Sequence, residues 1–144
     1  VACGFGMGLF KYAPGTVATI VVGVPFYLSI SHFSLIPYLL IISLAFLLGI
    51  YICGIAEQQC NRLDDARIVW DEICGYAITM IYIPNHAVWI ILGVLLFRLF
   101  DILKPWPIYY VDQYVKGGLG IMLDDLLAAG YANLTLHTLI YLSQ

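Results

Sequence analysis

Three short clusters of acids and bases carry whatever chemistry this chain can do. In the first, Asp64-Asp65 is followed closely by Asp71-Glu72. In the second, Arg98, Asp101 and Lys104 lie three residues apart within Phe97–Pro105. The third runs Gly117-Gly118-Leu119-Gly120, glycines that before a helix permit a tight turn or close backbone approach to a ligand, and reaches Asp124-Asp125. Carboxylates grouped this way suit a hard cation such as Mg²⁺, which takes oxygen ligands from one or two carboxylates plus substrate phosphate. An Arg and a Lys beside them suit phosphoryl oxygens, Arg as a fork and Lys as a point charge. The combination points to metal-assisted chemistry on a phosphate. Plainer readings stand beside it. Asp71 and Glu72 could serve only to complement a helix N-terminus, and Asp124 or Asp125 to cap one. Arg98, Lys104 and Trp106 could anchor a helix at a lipid head-group belt.

Spacing says how these residues must be held. A helix through Arg98, Asp101 and Lys104 puts all three on one face, and Pro105 ends that helix at Lys104. Asp64 and Asp71 share a face if one helix runs through both. Near the start, Gly4-Phe5-Gly6-Met7-Gly8 and Pro14-Gly15-Thr16 offer backbone N–H groups to an anion at the next helix start. No GK[ST] follows, so this is not a Walker A loop.

The supporting elements are apolar. Hydrophobic residues make up 62% of the 144 and charged residues only 10%, against roughly 25% charged in a soluble domain. A chain this short cannot bury so much apolar surface within itself. The expected fold is therefore all-α: one multihelical integral membrane domain over residues 1–144, with about four to five apolar helices and its charged loops on one face. The apolar stretches are 16–31, 35–56, 73–83, 87–97 and 126–142. The third and fourth are short for a crossing of ~20 residues. Nearly every charge falls in the loops at 57–72 and 98–125, while the turns 32–34 and 84–86 carry none. If all five stretches cross, the charges share one side, which the positive-inside rule makes cytoplasmic. His32, His86 and His137 then fall on the opposite side, as packing or interfacial residues. The six basic residues are scattered, which excludes a nucleic-acid surface. Cys3, Cys53, Cys60 and Cys74 form no CxxC pair or zinc-like spacing.

Four segments, GFGMGLFKYAPGT (4–16), IVWDEICGY (68–76), FRLFDILKPWPI (97–108) and GGLGIMLDDLLA (117–128), resemble the phosphatidylglycerophosphatase A family in type and order. Ala18 and Ala129 stand where the family pattern tends to have Gly. The resemblance implies a Mg²⁺-dependent phosphomonoesterase that converts phosphatidylglycerol phosphate to phosphatidylglycerol, at the cytoplasmic face of a bacterial inner membrane. It implies that Asp71, Glu72, Asp101, Asp124 and Asp125 supply the ligands of one or two Mg²⁺ ions. Arg98, Lys104 and Thr16 would bind the phosphoryl group, and Asp64 or Glu72 would orient or deprotonate the water. No C-x5-R phosphate loop follows any cysteine, which removes a cysteinyl phosphate; an aspartyl phosphate stays open. The competing reading is a non-catalytic protein that binds anionic lipid or serves transport. Acids of a transport pathway belong within spans; here they crowd the ends.

Overall fold

The computed structural model describes residues 14–60 and 70–143, and every regular element among them is helical. α1 (Pro14–Ala18), a π-helical turn (Thr19–Gly23) and α2 (Val24–Ile30) form one continuous helical run, because Ala18 and Gly23 keep right-handed helical backbone. The wide turn has a local cause. The Val24 N–H reaches back five residues to the Thr19 carbonyl, and Pro25, which has no N–H to give, follows at once. After it come α3 (Leu35–Cys60), α4 (Trp70–Thr79), α5 (Ala87–Leu103), α6 (Ile108–Tyr114) and α7 (Gly117–Leu142).

α7 is the central helix and packs on α3, α4, α5 and α6. Its buried face includes the small residues Gly118, Gly120, Ala128, Ala129 and Ala132. Small residues let helices approach closely, which is how helices associate where apolar burial alone gives no drive. At Gly118 there is no room for a side chain, since a Cβ would collide with the Ile50 carbonyl and the Gly54 backbone of α3. The GGLG run is thus the first turn of α7, with Lys116 as its N-cap. This corrects the sequence expectation of glycines in a turn near a ligand: the close approach of Gly118 is to α3. It also places Asp124 and Asp125 two turns inside the helix, where they cap nothing.

Among the described residues one helix, Leu35–Ile55 within α3, is long and apolar enough to cross a membrane. Of the expected four to five apolar helices, this is the one among the described residues that meets the length and composition of a crossing. α4 has ten residues and stops at Thr79, short of the apolar stretch's end at position 83. Its terminal carbonyls are taken inside the protein. Tyr38 OH donates to Ala77 O at 2.6 Å, and Asn133 Nδ2 to Thr79 O and Ile81 O at 2.8 and 2.9 Å. A helix end buried away from water needs such partners. Large apolar side chains nevertheless face outward, including Ile36, Leu40, Leu44 and Leu47 on α3 and Val88, Ile91, Leu95 and Ile102 on α5.

The connections sort by charge as the loops suggested. At one end Asn85 Nδ2 donates to Ser31 Oγ at 3.4 Å, joining the two uncharged turns. At the other, Gly15 at the start of α1 lies directly against the Glu72 carboxylate. α5 ends at Leu103, as Pro105 implied, and Lys104 caps it with a left-handed backbone, φ 43°.

Candidate active site

Four helices bring acids to the charged end. α5 contributes the first ion pair, with Arg98 Nη1 donating to Asp101 Oδ2 at 2.6 Å. The same nitrogen lies 3.2 Å from Glu72 Oε1 on α4. Glu72 also accepts from Thr19 Oγ1 at 3.3 Å. Gly15 makes this possible, because a Cβ there would overlap the Glu72 carboxylate. Its neighbour Asp71 turns inward and accepts the Glu72 N–H at 3.0 Å. Gly75, one turn further along α4, faces Phe97 and Asp125, and its missing side chain lets α4 sit close to both.

The second ion pair is built on a strained residue. Lys104 sits in the left-handed region, where side chains other than Gly and Asn are uncommon. From there its Nζ reaches Asp112 Oδ1 at 2.6 Å on α6 and Asp124 Oδ2 at 2.9 Å on α7. Asp124 Oδ1 accepts the Asp125 N–H at 3.0 Å. Asp101, Asp124 and Asp125 each offer an oxygen within 4.8 Å of the others. Asp125 is 4% exposed, and its Oδ2 has no hydrogen-bond partner among the described residues.

This density of carboxylates sets the protonation. Burial, then neighbouring negative charge, raises Asp71 and Asp125 well above the usual carboxylate range. Burial pushes Glu72 up to about 7 against the pull of Arg98. Burial raises Asp124 to about 6 against Lys104. Lys104 loses to burial but gains more from Asp112 and Asp124, so its ammonium is held. A carboxylate raised in the folded state keeps its proton longer than in the unfolded chain, so stability falls as pH rises through that interval. Metal-free protein in detergent should therefore lose Tm progressively from about pH 4 to pH 7, with little further loss from Glu72 and Asp124 above that. A Tm that climbs over that range in the presence of chelator would contradict this electrostatic picture.

The donor set fits a hard cation. It consists of carboxylate oxygens alone, and a buried oxygen without a partner is what a bound ion would satisfy. Asp101, Asp124 and Asp125 are the residues that would hold it. Of the other residues expected as ligands, Asp71 falls outside this three-residue group, though its charge acts on Asp124 and Asp101. Glu72 also falls outside it and is engaged by Arg98 and Thr19.

The structure thus gathers Asp71, Glu72, Arg98, Asp101, Lys104, Asp124 and Asp125. Asp64 lies outside the described residues. Among those described, no hydrogen bond joins Thr16 to the cluster; Thr19, one turn on, makes that contact. Two participants were missed from sequence, Thr19 and Asp112. Thr19 left a faint signal as a polar residue inside an apolar run. Asp112 left none, because the helix breaks between Lys104 and Ile108, so no helical register relates the two residues.

Residues 1–140 match the family model for Phosphatidylglycerophosphatase A. The chain belongs to the phosphatidylglycerophosphatase A family. A Haemophilus influenzae phosphatidylglycerophosphatase A is 39% identical over 142 residues, covering 98% of this chain and 87% of the relative. The Escherichia coli phosphatidylglycerophosphatase A is 37% identical over 129 residues, 89% of this chain and 74% of the relative. A Bacteroides thetaiotaomicron relative, 32% identical over 92% of this chain and 86% of its own, is named provisionally as a phosphatidylinositol-3-phosphatase. No solved structure matches the chain. Membership in the phosphatidylglycerophosphatase A family makes this protein an enzyme, a phosphatase. Segments 97–108 and 117–128, which carry the most specific resemblance to phosphatidylglycerophosphatase A, are the ones that supply Asp101, Asp124 and Asp125.

Proposed function

We propose that this protein hydrolyses the terminal phosphomonoester of phosphatidylglycerol phosphate to phosphatidylglycerol and inorganic phosphate, using Mg²⁺ held by Asp101, Asp124 and Asp125. The observation that carries the reading is the convergence of those three carboxylates around an unpartnered buried oxygen. The names of the Haemophilus and Escherichia relatives support the substrate.

Each residue has a task that follows from its contacts. When bound, the metal supplies charge neutralisation at phosphoryl oxygens and a more acidic water. Arg98 and Lys104 rest on carboxylates in the free protein. They exchange part of those contacts for phosphoryl oxygens, and the buried Arg98 Nε, without a partner among the described residues, is a further donor. Glu72 is poised near neutrality, where a general base works best. Thr19 and Arg98 hold its two oxygens in place to take a proton from the attacking water. Asp112 keeps Lys104 aimed at Asp124. Most of the rate enhancement is then positioning and preorganised charge.

The same reading places the chain as a multi-pass protein of the bacterial inner membrane, with its acids at the cytoplasmic face. Outward apolar side chains on α3 and α5 support lipid contact. Arg98 and Lys104 at the acid end support the orientation.

The deciding assay is phosphate release from phosphatidylglycerol phosphate by purified protein in detergent. Release with Mg²⁺ that stops with chelator is expected, and no release in either condition ends the reading. For orientation, single cysteines at exposed Ser34 and Gln113 are labelled from outside intact cells, in a background lacking Cys3 and Cys60. Ser34→Cys should react and Gln113→Cys should not; the reverse pattern contradicts the orientation.

A further inference from the structure

An apolar groove of about 320 Å³ lies between the first helical run and α5. Ile20 and Val24 form one wall, and Ile90, Ile91, Val94 and Leu95 form the other. Ile20, Ile91 and Leu95 are 52%, 60% and 59% exposed, so the groove opens outward on the apolar surface. Beyond its charged end a polar chain links the two elements that form the walls. Thr19, next to Ile20, donates to Glu72 Oε2 at 3.3 Å, and Glu72 Oε1 lies 3.2 Å from Arg98 Nη1. Arg98 stands one turn beyond Val94 on the same face of α5. The wide π turn at Thr19–Gly23 is what places Thr19 toward the site and Ile20 in the wall.

We infer that this groove holds an acyl chain of the lipid phosphomonoester, and so fixes how its head group enters the site. The inference rests on the phosphatase reading and names the subsite that reading lacks. The occupant follows from the two ends. One end is apolar along its length, which suits hydrocarbon. The other is a cationic fork with a spare buried donor, the Arg98 Nε, which suits the anion of the same amphiphile. The wall from Ile90 to Leu95 spans about 7.5 Å of helix rise. That is a part of one leaflet's hydrocarbon depth, roughly 15 Å. The groove therefore grips the segment of chain nearest the head group and leaves the rest in the bilayer. Selection by the groove adds affinity for acylated substrate and leaves the chemistry at the acids unchanged.

The test fills the groove from either wall at exposed positions, with Ile20→Trp and Leu95→Trp. Wild type and both variants are assayed on long-chain phosphatidylglycerol phosphate and on its deacylated glycerol analogue. The expected result is a rise in KM on the long-chain substrate of about tenfold, as for losing a couple of buried methylenes, with kcat/KM on the deacylated analogue unchanged. Equal kinetics on the long-chain substrate, or equal losses on both substrates, would overturn the inference. A binding readout separates it from the phosphatase reading. At lipid concentrations above its raised KM, the extra fluorescence of Leu95→Trp over wild type should be quenched saturably by a lipid phosphomonoester with a brominated chain, and not by the brominated lipid lacking that phosphate. Quenching without turnover in any sample would sink the phosphatase reading and keep the groove; turnover with no selective quenching would sink the groove alone.

Discussion

Asp125→Asn should abolish phosphate release while leaving the metal-free protein at least as stable as wild type. The two effects have one source. Asp125 is buried and one of its oxygens has no partner among the described residues, so its carboxylate is a cost to the metal-free fold and a ligand to the loaded one. An amide cannot ionise, and its NH₂ can donate to the carboxylates of Asp101 or Asp124 beside it. Removing a preorganised charge from a site of this kind costs on the order of 10²–10³ in kcat. Tm measured in chelator should therefore equal or exceed that of wild type. The rise in Tm that Mg²⁺ gives wild type by mass action should be absent. A variant that keeps its turnover, or that loses activity only because it no longer folds, would contradict the role assigned to Asp125.

Arg98→Met should be the most destabilising single change among the site's charged residues. Arg98 is mostly buried and is shared by Glu72 and Asp101, also mostly buried. Removing one partner of a buried ion pair leaves an uncompensated charge and costs about 3–5 kcal/mol. Lys104→Met should cost less, because Lys104 and Asp112 are about a quarter exposed and water can reach them. The double variant Glu72→Gln with Arg98→Met should recover part of the loss, since it removes one of the two carboxylates orphaned by the missing cation and leaves Asp101. Denaturant titration in detergent measures all of these. A double variant no more stable than Arg98→Met alone would show that packing of the arginine stem, and not its charge, holds this end together.

The sequence made the helices and the charged end legible because both are written in local pattern. Apolar runs between punctuating turns give helix identity, and Pro105 marks the end of α5. The sorting of charge into two loops foretold which helix ends would meet. Helix extent was less legible. α4 stops at Thr79 because Tyr38 and Asn133 from other helices receive its last carbonyls, and no local pattern announces partners 39 and 54 residues away. The GGLG run looked like a turn because glycine disfavours helix interiors. It is helical because only glycine lets α7 touch the α3 backbone at Gly54.

The same division holds at the site. Asp71, Glu72, Arg98, Asp101, Asp124 and Asp125 stood out as charges at the mouths of apolar segments, and the structure brings them together. Lys104 was expected on the helical face of Arg98 and Asp101. It sits instead on a left-handed cap, and that change of direction is what carries its ammonium to α6 and α7. Asp112 could not be found from spacing for that reason. Thr16 stood out because it sits beside Pro14 and Gly15, where a helix start binds anions, and Thr19 did not. The contact falls one turn later, where the π turn turns the Thr19 hydroxyl toward Glu72.

The central claim is that acids from α5 and α7 hold one divalent-cation site, and Mn²⁺ titration followed by electron paramagnetic resonance tests it without reference to turnover. Purified wild type should bind Mn²⁺ saturably, with Mg²⁺ competing. Asp101→Asn, Asp124→Asn and Asp125→Asn should each weaken binding by at least the ~10–100-fold typical of losing a supporting partner of a metal. Unchanged Mn²⁺ affinity in all three variants would contradict the account.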